Sequence, residues 1–321
     1  MFLLLPKSLD SIILSEKGKL LANLIITKNF EEPEKLYLFL KENFSDEVVP
    51  DNFGKVTPLE INNQLRFEHE KYFNIKRIAS NNTDLILENL CRSLFLAIED
   101  CNDQGSNLPD ICFINLWIAI QNVAAFLTLD SIPNKNVKEF NFSLMRKIDN
   151  PMQRWMRGHF LFFSLIQSLT LVHKRFDHHE SSLKIASNLF LASISAFRYG
   201  TNYCSSDYQD IIRPSMQPPE YSPGFSDQNS LDHIELLSSI SKVKADLLYD
   251  NGNGEDLKNY KNSISILYEN HAIVCEKAVG NVASLQQDSQ DNESNISAAD
   301  TIRTTYKNRT LNLVPGCPFN K

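Results

Sequence analysis

The sequence predicts an all-α protein with one helical domain over residues 1–321. Three observations support this. Only 10 of the 321 residues are glycine, so turn residues are scarce. Apolar residues recur every three or four positions over long segments, which is the period of an amphipathic helix and not of a strand. Four of the 13 prolines are concentrated in one short segment, 213–225, outside these patterns. Within the domain we distinguish N-terminal helices (1–150), a core (151–283), and a polar loop with a C-terminal tail (284–321).

The first half of the chain carries three helical patterns. Residues 8–44 place apolar side chains at helical spacing, and Asn, Gly and Pro break the pattern at 52–58. A long helix is predicted over 84–98, closed by a polar loop at 100–109. The segment 111–127 is apolar on most sides, which predicts a central, buried helix.

The second half continues in the same way. Pro151 begins a helix that runs to about 173, and a further helix is predicted over 182–199. Two more follow at about 230–249 and 261–280. The polar segment 284–295 is predicted to be a loop.

Charge and composition exclude several classes of partner. The net charge of −7 provides no positive surface for a phosphate backbone, so nucleic acid is not expected. The most apolar stretch, 160–172, is too short to cross a bilayer, which predicts a buried core helix and no membrane partner. The six cysteines include no CxxC pair and no export signal is recognised. A reduced, cytoplasmic setting is therefore expected.

The segment 213–225 contains four prolines and a glycine. This density predicts a stiff, extended loop without regular structure. Such a loop between core helices suits the wall of a pocket. A plain surface connection is the alternative, and the sequence alone does not decide between the two.

His271 and Cys275 are the first candidate site residues. They lie four positions apart on one apolar helical stripe, so both side chains project from the same face. An imidazole that faces an apolar cavity is a good axial ligand for haem iron. A thiol one turn away could add to a haem vinyl group and form a single thioether. Two ordinary core residues would give the same pattern, so HxxxC alone is a weak signal.

His233 is the second candidate. It is predicted to lie in the first turn of a helix, with Asp227 or Ser230 as N-cap. The positive end of the helix favours a neutral imidazole there, which can accept a proton. Because His233 follows the proline-rich segment closely, a pocket built from that segment would include it. A histidine without a functional role is the alternative.

Two arginines could pair with a substrate carboxylate. The planar guanidinium groups of Arg198 and Arg213 suit bidentate binding of such a group. Either could equally be a surface arginine. His159, on the helix that follows Pro151, is interpreted as a core histidine. The run 177–180 (Asp-His-His-Glu) resembles a metal cluster, but adjacent residues on a helix face apart, so a solvated turn is predicted.

The order His233, 37 residues, His271, three residues, Cys275 closely resembles the H-x(n)-H-x-x-x-C pattern of haem-dependent 3-methyl-L-tyrosine hydroxylases. Those enzymes serve saframycin- and ecteinascidin-type tetrahydroisoquinoline alkaloid pathways. The 213–219 segment and Asp232-His233 are also similar to related tyrosine hydroxylases. More distantly, residues 197–214 resemble the histidine-ligated haem oxygenases that include tryptophan dioxygenase. The specific similarity covers about 195–280.

The resemblance implies an all-α fold of the tryptophan-dioxygenase-like haem oxygenase type. It implies that His271 ligates the iron, that Cys275 forms the thioether, and that His233 is the distal catalytic group. The implied reaction converts 3-methyl-L-tyrosine to 3-hydroxy-5-methyl-L-tyrosine, with hydrogen peroxide or reduced dioxygen as oxidant. L-tyrosine hydroxylation, or another haem-dependent aromatic oxygenation, is the nearest alternative. A homodimer is left open.

Two other classes of protein are alternatives to a haem enzyme: a non-haem iron enzyme and a protein without catalysis. His233-x-Glu235 with His271 has the order of a non-haem iron triad, but on one helix His233 and Glu235 point about 200° apart. A ferritin-like di-iron site needs Glu-x-x-His pairs, and none of the seven histidines has Glu three residues before it. A helical haem carrier or interaction protein without catalysis is the third class. It would have no need of a shaped pocket or a distal base.

Overall fold

The computed structural model is built almost entirely from helices. It describes residues 2–4, 12–28, 30–45, 63–78, 82–133, 138–145, 147–223, 225, 230–249, 254–279 and 297–311. In chain order the helices are α1 (Glu16–Thr27), α2 (Pro33–Phe44), α3 (Gln64–Tyr72), α4 (Asp84–Gln104), α5 (Ile111–Thr128), α6 (Pro151–Lys174), α7 (Ser182–Gly200), the single turn α8 (Ser205–Asp207), α9 (Leu231–Tyr249), α10 (Glu255–Val279) and α11 (Ala298–Leu311). A short parallel pair of strands joins β1 (Phe2–Leu4) to β2 (Ile75–Arg77). The predicted all-α class is confirmed.

The antiparallel helices α6 and α7 form the centre of the fold. A Cβ added to Gly158 would lie 2.3 Å from the Cα of Gly200, so the two backbones touch where the helices cross. At the other end of the pair, the rings of His173 and Phe190 lie 6.2 Å apart. Helices α5 and α10 pack on α7, and α4 and α9 pack on α6. The α6–α7 pair therefore determines where the helices that carry the candidate site residues lie.

The two most apolar segments are buried helices, as predicted. Helix α5 is long and apolar enough to cross a membrane, but 72% of that segment is buried inside the protein. Residues 160–172 lie in α6, and all of them except Phe160 are buried. Both segments are apolar because they pack against other helices on several sides.

Helix α4 is longer than predicted. It continues through Asp100 to Gln104 and ends at Gly105, which has φ +76° and so tolerates a conformation that other residues avoid. The polar residues that suggested a loop are partly accommodated by tertiary contacts, because the carboxylate of Asp100 is buried against Arg154. A buried ion pair between distant segments leaves no local sequence signal.

Asp100, Arg154 and Tyr199 form what we call the frame cluster. Nε of the buried Arg154 donates to Oδ2 of Asp100 at 2.6 Å, and Oη of Tyr199 donates to the same oxygen at 3.0 Å. The remaining guanidinium nitrogens reach the carbonyls of Gly105 (3.1 Å) and Asn202 (3.0 Å). The cluster joins α4, α6 and α7 with its buried polar groups hydrogen-bonded.

The ends of the chain differ from expectation in two places. Within the 8–44 pattern the structure has two helices, and Pro33 begins the second because a proline fits the first helical turn. In the segment 284–321, expected to be a loop and tail, residues 298–311 form α11. Arg303 on α11 pairs with Glu269 and Glu276 of α10. The predicted break at 52–58 and the predicted loop at 284–295 lie outside the described residues.

Candidate active site

Helix α10 presents His271 and Cys275 on one face, both half-buried. It begins at Glu255, six residues before the predicted start. The imidazole of His271 stacks on the ring of Phe197, with centroids 4.8 Å apart and planes inclined by 17°. Phe197 in turn packs on Phe162 of α6, with centroids 4.3 Å apart. His271 is therefore connected to the middle of α6 through two aromatic rings.

Helix α9 presents His233 in its first turn, as predicted, with Nε2 buried. Of the two proposed N-caps, Asp227 lies outside the described residues. Ser230 directly precedes the helix, and its carbonyl accepts from the amide of Ile234 at 3.2 Å. The Ser230 hydroxyl, however, has no hydrogen-bond partner in the described part of the chain. Ser230 is therefore the N-cap residue by position, as predicted, but its side chain makes no capping hydrogen bond to the described residues.

Instead, the residue before His233 anchors the start of α9. The buried carboxylate of Asp232 accepts from Nη1 and Nη2 of Arg77 at 2.9 and 2.7 Å, and from Nε2 of Gln167 at 2.9 Å. Arg77 also donates to Glu70 from Nε (3.0 Å) and from Nη2 (2.5 Å). We call Glu70, Arg77, Gln167 and Asp232 the site clamp. Since it ties α9 to β2, α3 and α6, it fixes the backbone beside His233.

Both candidate histidines are therefore tied to the same stretch of α6. The chain of rings from His271 ends at Phe162, and the site clamp next to His233 includes Gln167. These two residues lie five positions apart on α6, a rise of about 7.5 Å. Two histidines that are separated by 37 residues in the sequence are thus tied to neighbouring turns of one helix.

The start of the proline-rich segment differs from the prediction. Tyr208–Ile212 forms one wide helical turn and Pro214–Met216 a tight one, with Arg213 between them. The expectation that 213–216 has no regular structure is wrong, because proline is well tolerated in the first turn of a helix. The amide of Arg213 donates to the carbonyl of Tyr208 at 2.7 Å, and its side chain is buried.

The rest of this segment is packed against α3. Ser222 donates to Glu68 through its amide (2.8 Å) and through its hydroxyl (2.7 Å). The ring of Tyr221 lies 5.3 Å from that of Tyr72, and the buried ring of Phe225 lies 5.1 Å from it. These contacts give the segment an inner face of aromatic side chains, which a plain surface connection would not have.

Several tyrosines gather near Cys275. Burial raises the pKa of the Tyr203 phenol well above its usual value. The proximity of other ionisable groups, among them Tyr208, Tyr72 and the Cys275 thiol, acts in the same direction. Oη of Tyr72 lies 2.9 Å from Oγ of Ser215. The proline-rich segment, the turn after α7 and the C-terminal half of α10 therefore meet in one region.

Two donors in this region are buried without a hydrogen-bond partner in the described chain. They are Oη of Tyr203 and Nε1 of Trp155. The Trp155 ring lies 6.2 Å from that of Tyr208 and 4.0 Å from the imidazole of His159. Neither residue was predicted from the sequence. Arg77 was not predicted either, since pairing with Asp232 across 155 positions leaves no local pattern.

The remaining candidates divide into clear cases. Nη2 of Arg198 donates to Oδ1 of Asn270 at 2.5 Å, so this arginine ties α7 to α10 next to His271. His159 is a core histidine, as predicted: it is buried and its Nδ1 lies 2.9 Å from the carbonyl of Trp155.

The prediction of a solvated turn at 177–180 is wrong for His179, which is buried. Its Nε2 lies 2.9 Å from the Asp130 carbonyl, and its Nδ1 accepts from the amide of Ser181. Among the described residues, no group of three or more His, Cys, Asp or Glu side chains could hold a metal ion. Glu235, from the alternative iron triad, is paired with Lys174 at 2.5 Å.

Comparison with known proteins identifies this architecture. A solved structure titled "Crystal structure of reduced SfmD by soaking with sodium hydrosulfite" superposes with a TM-score of 0.66 over 83% of this chain and 92% of that chain, at 18% identity. No curated protein matches the sequence. The family model described as "SfmD 3-methyl-L-tyrosine peroxygenase" matches residues 42–259. That range includes His233 and the site clamp, and it ends before His271. The chain belongs to the SfmD 3-methyl-L-tyrosine peroxygenase family.

Proposed function

We propose that this enzyme adds a hydroxyl group ortho to the phenol of 3-methyl-L-tyrosine, giving 3-hydroxy-5-methyl-L-tyrosine for tetrahydroisoquinoline alkaloid biosynthesis. Family membership carries the proposal, since the family consists of haem-dependent oxidising enzymes that act on this amino acid with peroxide. The positions of His233 on α9, which packs on α6, and of His271 and Cys275 on α10, which packs on α7, support the roles proposed below.

The residues on α10 fit a haem. A half-buried imidazole on an apolar helix face would suit the haem iron, and a half-buried thiol one turn further on would suit covalent attachment of the haem. His271 would hold the iron and Cys275 would form one thioether. When bound, the haem supplies the oxidising iron centre. An imidazole ligand donates less electron density than a thiolate, so an electron-rich phenol is a fitting substrate.

His233 would manage protons at the reacting ring. Near neutral pH a neutral imidazole can take the phenolic proton or move a proton on peroxide. The site clamp holds the neighbouring Asp232 with three hydrogen bonds, so the first turn of α9 has little freedom to shift. Such a fixed base needs no reorganisation when the substrate arrives.

Of the two arginines proposed to bind the substrate, Arg213 is better supported. It is buried where the proline-rich segment meets the tyrosine-rich region, and a buried guanidinium suits a carboxylate. Arg198 would act mainly by holding α10 through Asn270. A small contribution of Arg198 to carboxylate binding remains part of the proposal.

We also propose a soluble, cytoplasmic enzyme whose partners are the aromatic amino acid and peroxide. Dioxygen with a reductant is the second candidate oxidant, and a homodimer is the candidate assembly. A partner membrane or nucleic acid is not part of the proposal, because the net charge is negative and most of the apolar helix α5 is buried.

The first test is to produce the protein with ample haem supply, record its spectrum, denature it and measure the haem that stays with the chain. We expect a Soret band and covalent retention in the wild type. Cys275→Ala should release its haem into acidified organic solvent, and His271→Ala should lose haem binding. His233→Gln should keep haem but lose most of the turnover of 3-methyl-L-tyrosine with peroxide, because general acid–base groups contribute about 10²–10⁴-fold.

The outcomes separate the alternatives. A Soret band with extractable wild-type haem would remove the thioether and keep the hydroxylase. Equal rates with L-tyrosine would favour the L-tyrosine hydroxylase. Haem binding without turnover of any aromatic amino acid would favour a carrier. No haem in the wild type would contradict the proposal.

A further inference from the structure

The buried donors Trp155 Nε1–H and Tyr203 Oη–H need an explanation. Both atoms are shielded from solvent and neither is hydrogen-bonded within the described chain. A buried polar group without a partner costs about 1–3 kcal/mol, and the great majority of such groups in proteins are satisfied. Two orphaned donors in one neighbourhood are therefore expected where a ligand supplies the acceptor.

The two donors share a neighbour in Tyr208. Its ring lies 6.2 Å from that of Trp155, and its phenol is close enough to Tyr203 to affect ionisation there. The carbonyl of Tyr208 also accepts from the amide of Arg213. One short turn thus brings together an indole donor, a phenol donor and the segment that carries a buried guanidinium.

The chemistry of these groups selects the ligand. An indole N–H is a donor only, and the raised pKa keeps the phenol of Tyr203 protonated. An acceptor-only group with two oxygens, such as a carboxylate, suits two such donors. A neutral substrate phenol fits less well, because it has only one oxygen and carries a donor O–H of its own.

We propose that Tyr203 and Trp155 form a carboxylate subsite beside Tyr208. The carboxylate comes either from the amino-acid substrate or from a haem propionate. This inference rests on the proposed function, in that the enzyme binds haem and an aromatic amino acid. It names two positioning residues that the sequence did not indicate.

The experiment compares Tyr203→Phe and Trp155→Phe with wild type. The haem-to-protein ratio is measured first. The dissociation constants of 3-methyl-L-tyrosine and of its decarboxylated amine are then measured from the change in the Soret band. If the substrate supplies the carboxylate, both variants bind the amino acid about tenfold or more weakly, the usual effect of losing a hydrogen bond to a charged group. Binding of the amine is unchanged.

If a propionate supplies the carboxylate, the variants instead lose haem occupancy or show a shifted Soret band before any amino acid is added. In either case Tyr203→Phe is expected to melt at the same temperature as wild type or higher when the ligand is absent, because it removes an unsatisfied group. Tyr260→Phe is the matched control. Its phenol is buried and hydrogen-bonded to His173, so it should lower the melting temperature and leave haem and ligand binding unchanged.

Unchanged haem occupancy, spectrum and amino-acid affinity in both variants would overturn the proposal. A loss of affinity that is equal for the amino acid and the amine would also overturn it, since the carboxylate would then not be recognised. If wild type binds no haem, the proposed function fails first, and calorimetric titration of the apoprotein with the same two compounds tests the substrate arm of the subsite separately.

Discussion

Near the crossing of α6 and α7, each helix has a polar side chain that is hydrogen-bonded within the protein. Within the next few positions along each chain segment lies a buried donor without a partner in the described chain. On α6, Arg154 is hydrogen-bonded by the frame cluster, whereas the next residue, Trp155, has a buried N–H without a partner. On α7, Tyr199 donates to Asp100, whereas Tyr203, just past the helix end, donates to nothing in the described chain. The contrast separates a cluster whose polar groups are hydrogen-bonded within the described chain from two nearby donors that are not. These two donors lie on the side where we propose a ligand.

The largest expected effect comes from disrupting the frame cluster. Arg154→Met removes the cation that is hydrogen-bonded to the buried Asp100 and leaves, among the described residues, only Arg157, 3.8 Å away. Breaking a buried ion pair costs about 3–5 kcal/mol of unfolding free energy. Urea denaturation of the variant and wild type measures this loss. If the frame cluster acts separately from Trp155 and Tyr203, the folded fraction of the variant keeps its affinity for the ligand. A variant as stable as wild type would show that the frame cluster is not a stabilising element.

Removing one hydroxyl from each side sharpens the comparison. Tyr199→Phe removes a donor from a buried carboxylate, and we expect a loss of about 1.5–3 kcal/mol. Tyr203→Phe should cost nothing or stabilise the ligand-free protein. Because the chemical change is identical, denaturation curves of the two variants isolate the effect of the partner. Equal losses in the two variants would contradict the distinction between the two sides.

The crossing of α6 and α7 provides a third test. Gly158→Ala places a methyl group 2.3 Å from the Cα of Gly200, whereas the reverse change, Gly200→Ala, brings its Cβ to 3.2 Å from the Cα of Gly158. Overpacking typically costs about 1–3 kcal/mol, so Gly158→Ala should melt at a lower temperature than Gly200→Ala. The opposite order would mean that the helices separate without strain.

The effect that is smallest at neutral pH concerns a histidine at the other end of α6. Burial lowers the pKa of His173 to about 3 from the ordinary 6.5. Between these values the unfolded chain binds a proton that the native chain does not. The unfolding free energy is therefore unaffected by the titration of His173 above pH 6.5. Below that pH it falls by about 1.4 kcal/mol per pH unit until the pKa of the native state is reached. His173→Gln should flatten the fall in unfolding free energy between about pH 4 and 6, and an unchanged slope would contradict the prediction.

Local patterns predicted the elements well and the tertiary contacts poorly. The apolar periodicity of α5, α6 and α7 and the spacing of His271 and Cys275 are local properties, so the sequence alone predicted them. The end of α4 was misplaced because Asp100 is stabilised by a residue 54 positions away.

The site clamp and the two open donors were missed for a similar reason. Arg77 meets Asp232 across 155 positions, and nothing near Tyr203 in the sequence indicates that its phenol is buried. The burial of His179 was missed as well, because it depends on the carbonyl of Asp130, which belongs to a different segment.

The different contacts of neighbouring residues on α6 have a practical consequence for changing the substrate. Arg154 and Trp155 are adjacent in sequence. Arg154 belongs to the frame cluster, and Trp155 belongs to the proposed carboxylate subsite. If Trp155 and Tyr203 form the proposed subsite, libraries that vary these two residues and Tyr221 would change its shape while the hydrogen bonds of Asp100 and Arg154 stay intact. The protein can thus keep its tolerance to mutation in the region where new aromatic substrates would be selected.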